Sequence, residues 1–196
     1  MQKIMFNDQY GLTQAVLELL KDMTRRIIPE MRGRVYKKKP DIVWDANDEC
    51  FLVFKDNDDI EPILLYPKYK IGEVLAVAQK YEDFRWPAPQ RSDFQEILHS
   101  AGWNNKMFVR AELMPHRIRI TNIRVERLQD ISDDDCLREG IILSEDNRIF
   151  GFKNGKHYDT FRIPREAFSA LIDKVSGKGT WDENPYVYVY EFEFLN

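Results

Sequence analysis

Lys21 and Thr24 stand three residues apart in a strongly helical stretch, close to one turn of helix. On one helix face the two side chains point at the same place. A lysine made less basic by burial and by its neighbours Arg25 and Arg26 could then take a proton from the threonine hydroxyl or from a water. The blander reading is a solvated helix face, because lysine is favoured near a helix C-terminus. Glu139 falls in the last turn of another helix, where a carboxylate opposes the helix dipole and asks for a nearby cation. It could hold Lys21 or act as general acid and base toward an amide; otherwise it is a surface carboxylate. Asp22, adjacent to Lys21, is expected to raise the lysine pKa and keep it protonated. The three residues make one constellation only if the fold brings the first helix against the second.

The elements that must position them can be read from periodicity. Leu12, Ala15, Val16, Leu19, Leu20 and Met23 form one buried helical stripe, so a single helix is predicted up to a stop near Pro29. Cys50–Phe54 and Ile63–Tyr66 read as a hairpin around an Asp56–Asp59 turn. Gly72 turns the chain into a buried strand, Val74–Ala78, and Trp86-Pro-Ala-Pro89 breaks it. Ser92-Asp-Phe-Gln95 resembles a capping box that opens a helix through Leu98. Arg117–Arg127 reads as a long strand whose apolar phase shifts between Ile120 and Ile123, the mark of a bulge. Ser132 caps a helix ending at Gly140, and Pro164 opens another that Gly177 closes. The last strand, Tyr186–Phe194, carries one heavily aromatic face. Strands with a few short helices predict an α+β fold: a small barrel or strongly bent sheet with helices at its mouth.

Charge is segregated along the chain. Between Lys21 and Lys39 eight basic residues face two acidic ones, and between Asp41 and Glu61 eight acidic residues face Lys55 alone. The basic run, Arg25 and Arg26 included, could grip phosphates, as could Arg117 and Arg119, which share a strand face, together with Arg124 and Arg127. Equally, the two blocks could neutralise each other. Tyr81, Trp86 and Trp103 are candidate stacking residues near loops, whereas the tail tyrosines suit a core better.

The chain has 196 residues, 43% of them apolar, with 29 Lys and Arg against 33 Asp and Glu. That length supports a real core, and the net charge of −4 excludes a generally basic nucleic-acid coat while leaving room for a local basic site. Two cysteines and three scattered histidines complete no metal-ligand spacing and no disulfide framework, so neither metal nor cofactor is expected. Without an apolar leader or an 18-residue apolar run, a cytoplasmic protein free of the membrane is expected. No feature sets the oligomeric state.

Three blocks resemble the ASCH domain, a family of the PUA-like superfamily, in its bacterial and phage branch. Leu19-Leu-Lys-Asp-Met-Thr-Arg-Arg26 is similar to the family signature Gly-Arg-Lys-Thr-x-Thr-x-Arg, with Leu19, Leu20 and Asp22 in place of its Gly, Arg and first Thr. Tyr69-Lys-Ile-Gly-Glu-Val-Leu-Ala-Val77 is similar to its glycine-led strand. Ile120–Ser132 with Cys136-Leu-Arg-Glu-Gly140 is similar to its strand and acid-rich helix. Met114-Pro115 and the stretch from Gly179-Thr-Trp181 to Phe194 add to the likeness.

The resemblance implies a single domain over 1–196, with insertions at about 27–65 and 82–112. It further implies a PUA-like small β-barrel with helices flanking a cleft, and RNA or a modified nucleoside as partner. Some small members deacetylate N(4)-acetylcytidine as amidohydrolases through a Lys, a Thr and a Glu, roles that would fall on Lys21, Thr24 and Glu139. Three readings follow: a nucleoside- or RNA-binding cleft, an amidohydrolase, or a protein-interaction domain whose cleft has decayed through Leu19 and Leu20.

Overall fold

The computed structural model describes residues 1–34, 39–54, 61–83, 94–144 and 148–195. The Asp56–Asp59 turn, Trp86-Pro-Ala-Pro89, Ser92, Lys37 and Lys38 lie outside the described residues. The fold is mixed α+β, built on a five-stranded mixed sheet. Its strands in chain order are β1 (Gln2–Ile4), β2 (Met23–Ile27), β6 (Val74–Val77), β7 (Arg117–Arg127) and β11 (Tyr186–Leu195). Their spatial order is β1-β6-β7-β11-β2, with β1 parallel to β6 and every other pair antiparallel. Among the described residues no pairing joins β2 back to β1, so β2 is an edge.

The long strand bends where its apolar phase changes. Glu191 of β11 pairs with Asn122, but the next residue, Phe192, pairs with Ile120, leaving Thr121 as the extra residue of a bulge. Ile118, Ile120 and Ile123 are buried on either side of it. The tyrosines of β11 share one face, as alternation predicts, and Tyr186, Tyr188 and Tyr190 are buried. Val187 and Val189, on the other face, are buried too, because that side of the sheet is also covered. Cross-strand pairing sets Thr24 beside Tyr190 and Arg26 beside Tyr188, and sets Arg25 beside Val189 on the opposite face.

Two smaller sheets flank this one. Residues β3 (Asp41–Asp45), β4 (Cys50–Phe54) and β5 (Ile63–Leu65) form an antiparallel sheet that contains the predicted hairpin and one strand more. The other comprises β8 (Ile142–Leu143), β9 (Phe150–Asn154) and β10 (His157–Phe161). Helix α2 (Phe94–Leu98) joins a small second core around Tyr81, Ile97 and Met114; Tyr81 is buried there, so it offers no free stacking face, and half-buried Trp103 packs against this core.

Helix α1 (Leu12–Leu17) is half the length its stripe predicts. Leu20 N donates to Ala15 O at 2.8 Å and Leu19 N to Val16 O at 3.2 Å, the paired bonds of a Schellman stop. Leu19 occupies the left-handed position usually given to glycine, with φ 61°, and both leucines leave the stripe for solvent, at 69% and 51% exposed. Three residues later the chain is already in β2. Because a β-carbon at this φ costs about 1–2 kcal/mol, Leu19→Gly is expected to stabilise the fold. After the extra unfolded-state freedom of glycine the net gain is about 0.5–1 kcal/mol, a rise of roughly 2–3 °C in melting temperature. A thermal scan showing a decrease would contradict this reading.

Helix α3 (Asp133–Arg138) starts as predicted, the Ser132 hydroxyl accepting from Asp135 N at 3.1 Å. It ends in the same kind of stop, with Gly140 at φ 99°. A side chain at Gly140 would come within 3.4 Å of Leu12 Cδ2 and 3.5 Å of Ala15 Cβ and Lys21 Cδ. The C-terminal ends of α1 and α3 therefore meet, which is the condition the site requires. Helix α4 (Pro164–Ser176) covers them with Ala167, Phe168, Leu171 and Ile172, and α5 (Thr180–Glu183) leads into β11.

Candidate functional site

The expectation that Lys21 and Thr24 share a helix is overturned: Lys21 lies in the turn after α1, and Thr24 lies on β2. They still converge. Both line a cavity of about 720 Å³, as do Arg25, Arg26 and Glu139. That size falls within the roughly 300–1,000 Å³ of small-molecule sites. Met5 to Gln9, the continuation of β1, also lines the cavity, as do Lys106 and the apolar wall of α4 formed by Phe168, Leu171, Ile172 and Val175.

Lys21 is 2% exposed and its Nζ donates twice to Glu139, at 2.6 Å to Oε2 and at 2.7 Å to the backbone carbonyl. Glu139 ends α3, so the ammonium satisfies one of the orphan carbonyls of that helix and the carboxylate beside it. The other carboxylate oxygen, Oε1, accepts from Arg25 Nη1 at 3.1 Å. The cation asked for by the position of Glu139 is thus supplied by two side chains. Burial pushes Lys21 below the ordinary lysine value despite the attraction of Glu139, and Arg26 and Arg25 push the same way.

Asp22 does not act on Lys21 as expected. Its carboxylate is taken by Arg138 Nε at 2.8 Å, and Arg138 also donates to Glu191 at 3.0 Å. In the turn before β2 the two side chains go to different partners, Lys21 to Glu139 and Asp22 to Arg138, so proximity in sequence carries no contact here.

Arg25 was a candidate phosphate ligand, but its guanidinium is buried among three carboxylates: Glu126 at 2.6 Å, Asp135 at 2.8 Å and Glu139. Arg124 shares Glu126 and Asp135, at 3.0 and 2.6 Å, and reaches Glu191. Arg117 and Arg119 lie exposed on β7 away from the cavity, and Arg119 pairs with Glu193 at 2.9 Å. The basic and acidic blocks do not pair with each other among the described residues. Arg32 instead meets Glu183 at 2.9 Å, Lys39 meets Asp130 at 3.7 Å, and Glu49 meets Lys70. Arg26 is different. It donates to Met5 O at 2.7 Å across the open edge of β2 and has no carboxylate partner among the described residues.

Phe6, Lys106 and α4 were not identifiable as site residues beforehand. Lys21 Nζ lies 5.8 Å from the Phe6 ring centroid, and Lys106 holds Asp8 at 2.6 Å, but neither residue carries a periodic or motif signal. Among the described residues no cluster of three or more His, Cys, Asp or Glu could hold a metal, and no helix is long and apolar enough to cross a membrane. Cys50 and Cys136 are free and buried, and burial pushes the Cys136 thiol up to about 12, which makes it a poor nucleophile at neutral pH. Comparison with protein-family models, with curated proteins and with solved structures finds no match to this chain.

Proposed function

We propose that this chain is an ASCH-like domain of PUA-like architecture whose cleft binds a modified nucleoside beside Lys21, Thr24 and Glu139. The observation that carries the reading is the convergence of those three residues on one cavity from a turn, a strand and a helix end distant in sequence. The φ of Leu19 supports the register of the resemblance, because the glycine of the signature would stand at the one position of that turn where a left-handed backbone is needed. Leu20 is exposed and outside the cavity lining, so it does not fill the cleft as the decayed-cleft reading requires.

Among the basic residues proposed for phosphates, Arg25, Arg32, Arg119 and Arg124 are already paired with carboxylates, which favours a nucleoside or a short stretch of RNA over a long polynucleotide track. Calorimetric titration tests this. N(4)-acetylcytidine is expected to bind with little dependence on salt, and transfer RNA with a shallow salt slope. Absence of nucleoside binding, combined with steep salt-dependent RNA binding, would overturn the proposal.

A second reading, amide hydrolysis, is favoured by one specific observation: Lys21 is buried, with its pKa lowered, against Glu139. In this chemistry neutral Lys21 accepts a proton from the Thr24 hydroxyl or from a water that Thr24 orients. The oxygen so activated adds to the amide carbon, and the C–N bond breaks as its nitrogen receives a proton relayed through Glu139. Where Thr24 itself attacks, water then hydrolyses the acyl ester. The net products are the free amine of cytidine and acetate.

A further inference from the structure

A second cavity, of about 420 Å³, adjoins the first and shares Met5, Arg26 and Ile27 with it. Its remaining lining is of a different character: Tyr66, Tyr69, Tyr188 and Tyr190, with Lys68, the carboxylate of Glu30, and Lys3, whose ammonium is turned to Met107 O and Val109 O at 2.7 Å each. We propose that this cavity holds the nucleotide next to the modified one, with the connecting phosphate over Arg26 and the flanking base against the exposed ring of Tyr66. The inference rests on the nucleoside reading of the first cavity.

Three observations lead to it. Arg26 stands between the two cavities and uses a donor on Met5 O, which leaves most of its guanidinium without a protein acceptor. Lys68 is exposed, lies 5.2 Å from the Tyr69 ring centroid and has no carboxylate partner among the described residues. Such unpaired cations at a cavity wall favour an anion, whereas the paired arginines of the neighbouring network do not. The third observation is Tyr188. It is 6% exposed, and among the described residues its hydroxyl has no hydrogen-bond partner, although the residue lines this cavity. The hydroxyl is not fully enclosed, so it is open to a ligand atom on the cavity side. Tyr190, by contrast, has its hydroxyl engaged by Lys68 N at 3.0 Å and acts as wall. Aromatic faces stack any base, so the flanking position is expected to tolerate all four.

The experiment compares N(4)-acetylcytidine with dinucleotides that carry one further nucleotide on its 5′ or 3′ side. Titrations use the wild type, Lys68→Gln and Tyr66→Ser, both substitutions falling on exposed side chains. One of the two dinucleotides is expected to bind about tenfold more tightly than the nucleoside. Its affinity should fall with salt at a logarithmic slope near −0.7, the value for about one phosphate contact. Each variant should lose most of that gain while binding the nucleoside as the wild type does. A nucleoside that binds while neither dinucleotide improves on it, or a gain that survives both variants, overturns this inference and leaves the first cavity standing. Failure of the nucleoside and both dinucleotides to bind overturns both.

Discussion

Alanine at Glu139 is expected to cost the fold about 3–5 kcal/mol, the range for removing one partner of a buried ion pair. At roughly 2–4 °C per kcal/mol in a chain of this size, the melting temperature should drop by about 6–20 °C. Arg25 keeps Glu126 and Asp135 in this variant, so the loss is concentrated on Lys21, whose ammonium is left with only the carbonyl of residue 139. Lys21→Met should cost much less, because Glu139 retains Arg25 and the new side chain fills the same space.

The pH dependence has a definite sign. The folded-state pKa of Lys21 is lowered, so the unfolded chain binds more protons between that value and the ordinary lysine value of 10.5, and the contribution of this residue to stability rises with pH across that window. Without Glu139 the lysine is pushed lower still. The penalty of Glu139→Ala should therefore be largest near neutral pH and shrink at alkaline pH, as the lysine gives up its proton. Urea unfolding at several pH values measures both effects. A penalty under about 1 kcal/mol would put Glu139 among exposed, weak ion pairs and contradict the buried geometry.

If the cleft hydrolyses amides, Lys21→Ala should lower turnover of N(4)-acetylcytidine by about 10²–10⁴-fold, the usual worth of a positioned general base. Lys21→Arg should fail to restore it, since a guanidinium stays protonated. The wild-type rate should rise with pH as Lys21 loses its proton, with the inflection below the ordinary lysine value because burial depresses it. Chromatography of released cytidine gives both results. Turnover that survives Lys21→Ala would remove Lys21 as the base.

The sequence made Glu139 legible because its position breaks a rule. A carboxylate in the last turn of a helix implies a cation in space, and Lys21 and Arg25 are found there. The Ser132 cap, the Gly140 stop and the bulge before Ile123 were legible for the same reason: each depends on a few adjacent residues. What misled was the stripe through Leu19, Leu20 and Met23. Its spacing suits a helix, but the stop at Leu19 uses a left-handed leucine that no local signal marks. Arg25 on β2 is neutralised by Glu126, Asp135 and Glu139, all more than 100 residues away, and separation on that scale hides the pairing from any local pattern. The short strands β1, β3 and β8 to β10 offer too few alternations to register.

The most direct measurement is an amide chemical-shift titration of the isotopically labelled protein with N(4)-acetylcytidine. Saturable shifts are expected at Thr24, Arg26, Glu139, Gly140 and the Leu171–Val175 turn of α4, with Arg117 and Arg119 unmoved. Shifts that are absent at millimolar nucleoside, or that gather on β7 around Arg117 and Arg119 instead of the Lys21 cavity, would contradict it.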